Sequence, residues 1–200
     1  MPLLGITGGI ATGKSTFTRL LARRLPGDVF DADRAAHELL ASDPAVRLAV
    51  EKSFGAGYYG ADGLPDRARL RDLIFSDDLH RRRLEEILHP AIRAHWLAQA
   101  GRVVENGGWL HVDLPLLYET RAESQFDRVI VVACSPATQR RRLETERGLT
   151  AETAVKIISA QLDLETKIKR ADHLVWSDST TESLDTQAGL LAAWLRNRYG

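Results

Sequence analysis

The chain has 200 residues, of which 44% are hydrophobic and 27% charged, and its 27 basic residues balance its 27 acidic ones. This length allows one α/β domain with a full core. The balanced charge provides no overall field for nucleic acid or an anionic membrane, so an anionic ligand must be held by a local cluster of positive groups.

Two further features limit the class of protein. The single cysteine, Cys134, excludes an internal disulfide and a cysteine-based metal site. No run approaches the roughly 20 apolar residues of a membrane span. The apolar run at residues 3–6 is too short and too interrupted by glycine to resemble a signal peptide. We therefore expect a cytoplasmic protein that binds neither nucleic acid nor a membrane.

Five short apolar runs predict β-strands. Helix-like stretches separate the runs, and several runs are continuously apolar, which favours a buried parallel sheet with helices on both faces. We thus predict one α/β domain over residues 1–200. The runs are residues 3–6, 29–31, 109–112, 128–133 and 173–176.

The first predicted strand leads into a glycine-rich segment, residues 8–15, that matches G-x-x-x-x-G-K-[ST]. Small residues let the backbone wrap around a phosphate chain, with successive N–H groups pointing inward and a helix N-terminus beyond them. Lys14 is expected to reach the β- and γ-phosphates. The segment therefore predicts ATP binding.

The helix after this loop is predicted from its apolar spacing. Phe17, Leu20, Leu21 and Leu25 fall on one face, and Pro26-Gly27 ends the pattern.

Two aspartates, Asp31 and Asp33, follow the second predicted strand. Ligands of open α/β sheets bind at the carboxyl ends of the strands, so these carboxylates are expected near the transferring phosphate. A carboxylate there can take the proton from an attacking hydroxyl. The alternative is that both aspartates cap the next helix, predicted over residues 34–40.

About eighty residues separate the second and third strands, more than a single crossover helix requires. Asp43-Pro44 predicts a helix start there, and residues 55–65, with four glycines, predict a loop. His89-Pro90 interrupts a helical pattern, so His89 is either a substrate contact or a residue at a helix junction. We expect an inserted helical region, about residues 55–105, that forms a wall of a substrate pocket.

The third strand is followed by Asp113, in the manner of a Walker B element. Such an aspartate holds Mg²⁺ directly or through water, and the hydroxyl of Ser15 is the expected second ligand. Many strands also end in aspartate as a turn residue, which is the alternative. The six histidines show no metal-ligand spacing, so no zinc site is predicted.

An arginine cluster lies on the helix whose start Ser135-Pro136 predicts. Arginine supplies mobile positive charge over a departing phosphate, whereas a solvated basic face is the alternative for such a run. Not all of these arginines can act, because adjacent residues of a helix do not share a face. The cluster comprises Arg140, Arg141, Arg142 and Arg147.

A further helix is predicted after Thr150, which can cap it. Its apolar stripe contains Ala154, Ile157, Ile158 and Leu162.

Together these motifs resemble the dephospho-CoA kinase family, from residue 3 to about residue 178. Many enzymes share the phosphate loop, whereas the His-Pro and D-x-P-L-L-x-E elements in this order are much more specific. The resemblance rests on residues 5–15, 31–33, 84–90 and 113–119, and on Gln139, Arg142, Gln161, Ala171 and Asp172.

The resemblance implies transfer of the γ-phosphate of ATP to the ribose 3′-hydroxyl of dephospho-CoA. It also implies a P-loop core with a five-stranded parallel sheet, a helical substrate-binding region and a mobile lid, about residues 138–162. By position, Asp33 matches the proposed catalytic base, and Arg142 matches a lid arginine. The residues that match the ATP loop of the family are Gly9, Ile10, Ala11, Thr12, Gly13, Lys14, Ser15 and Thr16. The segments on the substrate side contain His89, Pro90, Leu116, Leu117 and Glu119.

Three positions depart from the family pattern. Ala11 stands where glycine is usual, which is acceptable if its φ is negative. Ser177 stands where asparagine is frequent, which leaves a contact with adenine open. Glu146-Arg147 shifts the second lid arginine by one residue, so either Arg147 takes its place or Arg142 works largely alone.

Two other functions stay open. The nearer is another small-molecule P-loop kinase, acting on a nucleotide, gluconate or shikimate. The other is a regulatory P-loop NTPase. The chain lacks an N-K-x-D guanine-recognition element, and Asp33 suits deprotonation of an alcohol, and both features favour a kinase. We expect a monomer or a weak homo-oligomer.

Overall fold

The structure is a computed structural model that describes residues 2–200; of residues 75, 76 and 104 it describes the backbone alone. Strands and helices alternate along much of the chain. The strands are β1 (Leu3–Gly8), β2 (Asp28–Asp31), β3 (Leu110–Asp113), β4 (Arg128–Ala133) and β5 (His173–Trp176). The helices are α1 (Lys14–Arg24), α2 (Ala32–Ser42), α3 (Pro44–Phe54), α4 (Arg67–Ser76), α5 (Asp78–Glu105), α6 (Pro136–Thr145), α7 (Ala151–Ser159), α8 (Leu164–Arg170) and α9 (Thr181–Tyr199), with 3₁₀ turns at Ala56–Tyr58 and Glu123–Gln125.

The five strands form one parallel sheet in the order β2-β3-β1-β4-β5. The predicted strands are therefore confirmed, with β1 running on to Gly8 and β3 to Asp113. In this register Ile6 lies beside Asp113, and Asp113 lies beside Asp31. The carboxyl ends of these strands are thus level at one edge of the sheet.

The main core lies between one face of the sheet and helices α1 and α9. Leu4 and Ile6 of β1 and Ile130 and Val132 of β4 point into it, as alternation along a strand requires. The predicted apolar stripe, Phe17, Leu20, Leu21 and Leu25, packs there too. Side chains of α9 complete the cluster: Leu184, Ala188, Leu191, Ala192 and Leu195.

The opposite face of the sheet is covered as well. Helix α8 packs against β4, and Gly5 of β1 faces Leu117 and Phe126. A Cβ on Gly5 would lie 2.6 Å from Leu117 Cδ1 and 2.9 Å from the ring of Phe126, so only glycine fits. Helices therefore lie on both faces of a parallel sheet, as predicted.

Residues Ala32–Gln99 form a second compact unit. It begins earlier than the inserted region expected at about residues 55–105. Asp43 caps α3 by accepting hydrogen bonds from the N–H groups of Ala45 and Val46. The predicted loop at 55–65 closes through a β-bridge between Tyr59 and Pro65.

Helix α5 differs from the sequence prediction, because it continues through His89 and Pro90 as one helix of 28 residues. A proline inside a helix removes a hydrogen bond and costs about 3 kcal/mol. An apolar stripe at four-residue spacing opposes this cost, because burying each such side chain contributes about 1.5–3 kcal/mol. The buried stripe is Leu84, Leu88, Ile92 and Trp96.

The predicted helix after Thr150 is also shorter than its apolar stripe suggested. Helix α7 ends at Ser159, three residues before Leu162. Among the described residues, no helix combines the length and the apolar composition that crossing a bilayer requires.

Candidate active site

The glycine-rich loop connects β1 to α1 and contains two residues with positive φ. Gly13 has a φ of 82° and is the N-cap residue of α1, and Ala11 has a φ of 57°. Ala11 therefore does not meet the condition, a negative φ, under which alanine is acceptable at this position. Alternation of left-handed and right-handed residues turns successive peptide groups toward one side and creates an anion-binding concavity.

The N-terminus of α1 carries no side-chain cap. Six other helices of the described chain do, through Asp43, Asp66, Ser135, Thr150, Asp163 and Thr180. The first-turn N–H groups of a helix have no partner within the helix and carry its partial positive charge. At α1, with a glycine as cap, these groups are suited to an anion.

Five consecutive carbonyl groups of the loop accept hydrogen bonds from side chains, four of which lie far away in the sequence. Lys167 Nζ donates to Gly8 (3.3 Å), Thr12 Oγ1 to Gly9 (2.8 Å), Gln139 Nε2 to Ile10 (2.7 Å), Arg142 Nη1 to Ala11 (3.1 Å) and Ser177 Oγ to Thr12 (2.5 Å). The C=O and N–H groups of a trans peptide point in opposite directions. Holding these carbonyls therefore fixes the direction of the N–H groups that follow them. Two of these N–H groups already have partners, since Ile10 donates to Gln161 Oε1 at 2.9 Å and Thr12 donates to the Gly9 carbonyl at 3.4 Å. The other three, those of Gly9, Ala11 and Gly13, are directed away from the side chains that hold the carbonyls. We call these five carbonyls and their donors the carbonyl clamp.

The buried carboxylate of Asp113 lies behind the loop. It forms an ion pair with Lys14, and its Oδ2 lies 3.4 Å from the hydroxyl of Thr18. Thr18 also donates to the Lys14 carbonyl at 3.1 Å. These contacts connect the carboxyl end of β3 to the first turn of α1.

The donor set suits Mg²⁺ bound together with phosphate. Ser15 has an exposed side chain in the first turn of α1, and the carboxylate of Asp113 is buried, with its Oδ1 paired with Lys14. The described residues contain no group of three or more histidine, cysteine, aspartate or glutamate side chains that could hold a metal ion. Mg²⁺ at phosphate sites needs only one or two carboxylates, because phosphate and water supply the other ligands.

Arg142 and Ser177 support the loop from one side. The guanidinium of Arg142 donates to Ser177 Oγ at 3.1 Å and to the Ser177 carbonyl at 2.5 Å, besides its contact with Ala11. These bonds use three of the five N–H donors of a guanidinium. Arg147 is exposed, after the end of α6. Burial raises the pKa of nearby Cys134 to about 11, so its thiol stays protonated at neutral pH.

Comparison with known proteins assigns this site to a family. The family model described as dephospho-CoA kinase matches residues 2–183. The chain belongs to the dephospho-CoA kinase family. A dephospho-CoA kinase from Burkholderia thailandensis is 37% identical, with 98% of this chain and 94% of the relative aligned. One from Anaeromyxobacter dehalogenans is 40% identical, with 100% and 95% aligned.

The fold agrees with that of a solved dephospho-CoA kinase. The dephospho-CoA kinase from Campylobacter jejuni superposes with a TM-score of 0.71 at 26% identity, covering 98% of this chain and 97% of that one. The protein is therefore a kinase with the α/β fold of P-loop enzymes, as the dephospho-CoA kinase resemblance implied.

The D-x-P-L-L-x-E segment of this dephospho-CoA kinase family member lies largely in the protein interior. Leu117 is 0% exposed and packs beneath β1, while Leu116 is partly exposed. Glu119 Oε1 forms an ion pair with Lys167 at 2.8 Å and accepts a hydrogen bond from the Leu162 N–H at 2.9 Å. In this structure Glu119 joins the segment before α8 to the loop after β3.

Three other predicted residues lie in the second unit. Asp33 is in the first turn of α2, and His89 and Pro90 are in α5. Asp31 differs from them, because it is the last residue of β2 and belongs to the sheet.

Sequence reasoning missed the function of Lys167 and of the two glutamines. Lys167 is 0% exposed, and it donates to Pro115 at 3.0 Å as well as to Gly8. Gln139 and Gln161 were part of the family resemblance but had no assigned role. Lys167 and Gln139 lie on helices and Gln161 lies between two helices, and nothing in the local sequence around them indicated these distant contacts.

Proposed function

We propose that this protein transfers the γ-phosphate of ATP to the ribose 3′-hydroxyl of dephospho-CoA, giving CoA and ADP. The observation that supports it is the carbonyl clamp, which directs loop N–H groups toward a phosphate chain, in a member of the dephospho-CoA kinase family. Donors fixed before the substrate arrives need no reorganisation during the reaction, and such electrostatic preorganisation is a large term in catalysis.

The loop residues bind the triphosphate of ATP. In this proposal the N–H groups between Gly9 and Thr16 surround the β-phosphate, apart from those of Ile10 and Thr12, which donate within the protein. Lys14 exchanges its ion pair with Asp113 for the β- and γ-phosphates. That exchange would leave the Asp113 carboxylate available as a ligand.

Ser15 and Asp113 would hold Mg²⁺, Asp113 either directly or through water. The ion supplies positive charge that bridges the β- and γ-phosphates. The buried Asp113 oxygen and the exposed Ser15 side chain support this assignment.

Asp33 is the proposed base. It would accept the proton of the ribose hydroxyl and orient the oxygen toward the γ-phosphate. The basis is its position two residues beyond Asp31, the carboxyl end of β2, since ligands of such sheets bind beyond these ends. Arg142 is the proposed arginine for the charge on the transferring phosphate, which its contact with Ala11 in the loop supports.

The acceptor side is proposed to involve the family-matched residues of two segments. His89 and Pro90 would contact dephospho-CoA, as would Leu116. Leu117 and Glu119 would act mainly by fixing the shape of their segment, since Leu117 is buried and Glu119 is paired with Lys167. We further propose a cytoplasmic monomer or weak homo-oligomer without nucleic-acid or membrane partners.

An acceptor panel tests the proposal. Purified protein with ATP and Mg²⁺ is offered dephospho-CoA, nucleoside monophosphates, shikimate and gluconate, and products are identified by mass spectrometry. We expect CoA, with one added phosphate, and at least tenfold higher kcat/KM for dephospho-CoA than for any other acceptor. Lys14→Ala should reduce turnover by orders of magnitude with an unchanged circular dichroism spectrum. Faster turnover of a nucleotide or sugar acid, or ATP hydrolysis insensitive to every acceptor, would replace this function with another.

A further inference from the structure

Gln139 and Gln161 form hydrogen bonds with the carbonyl and the N–H group of one residue in the phosphate loop, Ile10. We propose that they are positioning residues, which fix the Ile10 backbone and attach both ends of the helical segment 138–162 to the phosphate-binding loop. The inference deepens the proposed function, because it concerns how the same loop is kept ready for ATP.

The hydrogen bonds define which amide atom faces the loop. Gln139 Nε2 donates to the Ile10 carbonyl at 2.7 Å, and Gln161 Oε1 accepts from the Ile10 N–H at 2.9 Å. A carbonyl only accepts and an N–H only donates, so each glutamine amide has one possible orientation. Glycine at position 9 leaves room for the buried side chain of Gln139, since a Cβ at that position would lie 2.8 Å from Gln139 Nε2.

Each glutamine is itself fixed at its backbone. The Gln139 N–H donates to the carbonyl of Ser135, the cap of α6, at 3.0 Å. The Gln161 N–H donates to the Ile158 carbonyl of α7 at 3.3 Å, and the next residue, Leu162, donates to Glu119. Helices α6 and α7 also pack on each other. The segment between the two glutamines is thus attached at both of its ends to Ile10 of the phosphate loop.

The function of this arrangement follows from the peptide geometry. The Ile10 carbonyl and the Ala11 N–H belong to one peptide group and point in opposite directions. While Gln139 holds the carbonyl, the Ala11 N–H stays directed away from α6. Ala11 has a positive φ, which an alanine adopts only when its surroundings enforce it. Gln161 holds the adjoining Gly9–Ile10 peptide group through the Ile10 N–H. Without the two glutamine bonds both peptide groups can rotate, and the Ala11 N–H is no longer held in place as a donor for phosphate.

The test compares Gln139→Met and Gln161→Met, which keep the side-chain volume but remove the amide, with Gln125→Met, an exposed glutamine elsewhere. Calorimetry measures the Kd of ADP, and separately the Kd of dephospho-CoA without nucleotide. We expect each loop variant to weaken ADP binding roughly tenfold, the equivalent of one lost hydrogen bond of favourable geometry. Dephospho-CoA binding and the Gln125→Met variant should match wild type.

A phosphorus NMR spectrum of bound ADP provides a readout that general destabilisation would not change selectively. The β-phosphorus signal should shift in both loop variants, and the α-phosphorus signal should shift less. If Gln139→Met does not fold, Gln139→Asn, whose amide is one methylene too short to reach Ile10, takes its place with the same expectation.

Unchanged ADP affinity in both loop variants would overturn the inference, as would equal weakening of ADP and dephospho-CoA binding. Because ADP binding is measured without turnover, these results do not depend on the acceptor. A wild-type protein that binds ADP but does not phosphorylate dephospho-CoA would reject the proposed function and still test the two glutamines.

Discussion

Ala11 lies in the left-handed region of backbone conformation, with a φ of 57°. This region costs an L-residue roughly 1–2 kcal/mol, because Cβ approaches the following carbonyl oxygen. The loop keeps the strained residue because Arg142 holds its carbonyl and Gln139 holds the preceding one. The strain at Ala11 lowers the stability of the fold, but it maintains the shape of the phosphate loop.

Replacing Ala11 by glycine should relieve this strain. Glycine costs about 0.5–1 kcal/mol more conformational entropy on folding, so Ala11→Gly should raise the free energy of unfolding by about 0.5–1 kcal/mol. Urea titration measures the change. Ala193→Gly, at an exposed position inside α9, is the control and should lower the free energy by about 1 kcal/mol. A loss at both positions would mean that Ala11 is not strained.

Asp33→Asn tests the proposed base. The substitution keeps the size of the side chain and removes its basic site, so kcat should fall at least roughly a hundredfold, the lower range of general-base contributions. The Kd of ATP, measured by calorimetry, should hardly change. A loose transition state depends on orientation as well as on deprotonation, and the amide preserves part of the orientation.

Asp31→Asn is the matched control for this experiment. Asp31 ends β2 and belongs to the sheet, so its replacement should reduce kcat less than that of Asp33. The reverse order would assign the base to Asp31. Turnover near wild type in both variants would mean that neither residue is the base.

At the scale of elements, helix α8 is attached to the phosphate loop by one buried charge. Lys167 pairs with Glu119 and donates to two carbonyls, those of Gly8 and Pro115. Removing one partner of a buried ion pair typically costs 3–5 kcal/mol, because the other charge is left uncompensated. Glu119 retains some solvent contact, which lowers the expected cost.

Lys167→Met should therefore reduce the free energy of unfolding by about 3 kcal/mol, measured by urea denaturation. Lys169 lies on the same helix but is exposed, and its ion pair with Glu165 is on the surface. Lys169→Met should leave stability nearly unchanged, because such surface pairs contribute little. Similar small effects from both variants would show that the buried contacts of Lys167 are dispensable.

The elements differ in how far the sequence could predict them. The strands and α1 have local signals, namely continuous apolar runs and the spacing of Phe17 with Leu21. The continuity of α5 was missed because Pro90 is a local stop signal, whereas the stripe that outweighs it is buried only in the folded unit.

The residues that support the phosphate loop were harder to predict from the sequence than the loop motif itself. The residues expected to bind phosphate follow from the loop pattern alone. The φ of Ala11 depends on the hydrogen bond that its carbonyl accepts from Arg142, 131 residues away. The buried position of Lys167 depends on its hydrogen bond to Gly8, 159 residues away. A single sequence does not indicate which residues so far apart in the chain will contact each other in the fold. The substrate-side assignments and the catalytic roles stay predictions.

At the scale of the whole molecule, a buried histidine makes stability depend on pH. His111 of β3 is fully buried, and its Nε2 lies 2.9 Å from the Leu25 carbonyl. Because a carbonyl only accepts, Nε2 carries the proton of the neutral ring. A second proton would go to Nδ1, which is buried and has no hydrogen-bond partner in the described structure. Burial thus lowers the pKa of His111 below its usual 6.5, despite the opposing effect of the bond to Leu25.

The unfolded state then binds more protons than the folded state as the pH falls below 6.5. The free energy of unfolding should decrease over this range, by at most about 1.4 kcal/mol per pH unit for this group. His173, whose pKa burial also lowers, adds to the effect. Urea titrations at pH 7.5, 6.5 and 5.5 measure the slope, and His111→Gln should flatten it. An unchanged slope in that variant would exclude His111 as its source.

The central position of β1 has a consequence for protein synthesis. Leu3 of β1 pairs with Leu110 of β3, which lies 107 positions later in the chain. At about 5–20 residues per second, a ribosome needs roughly 5–20 s to make that partner. Gln139, Arg142, Lys167 and Ser177 are made later still. The carbonyl clamp therefore cannot be complete until a residue 165 positions downstream of Thr12 has been translated.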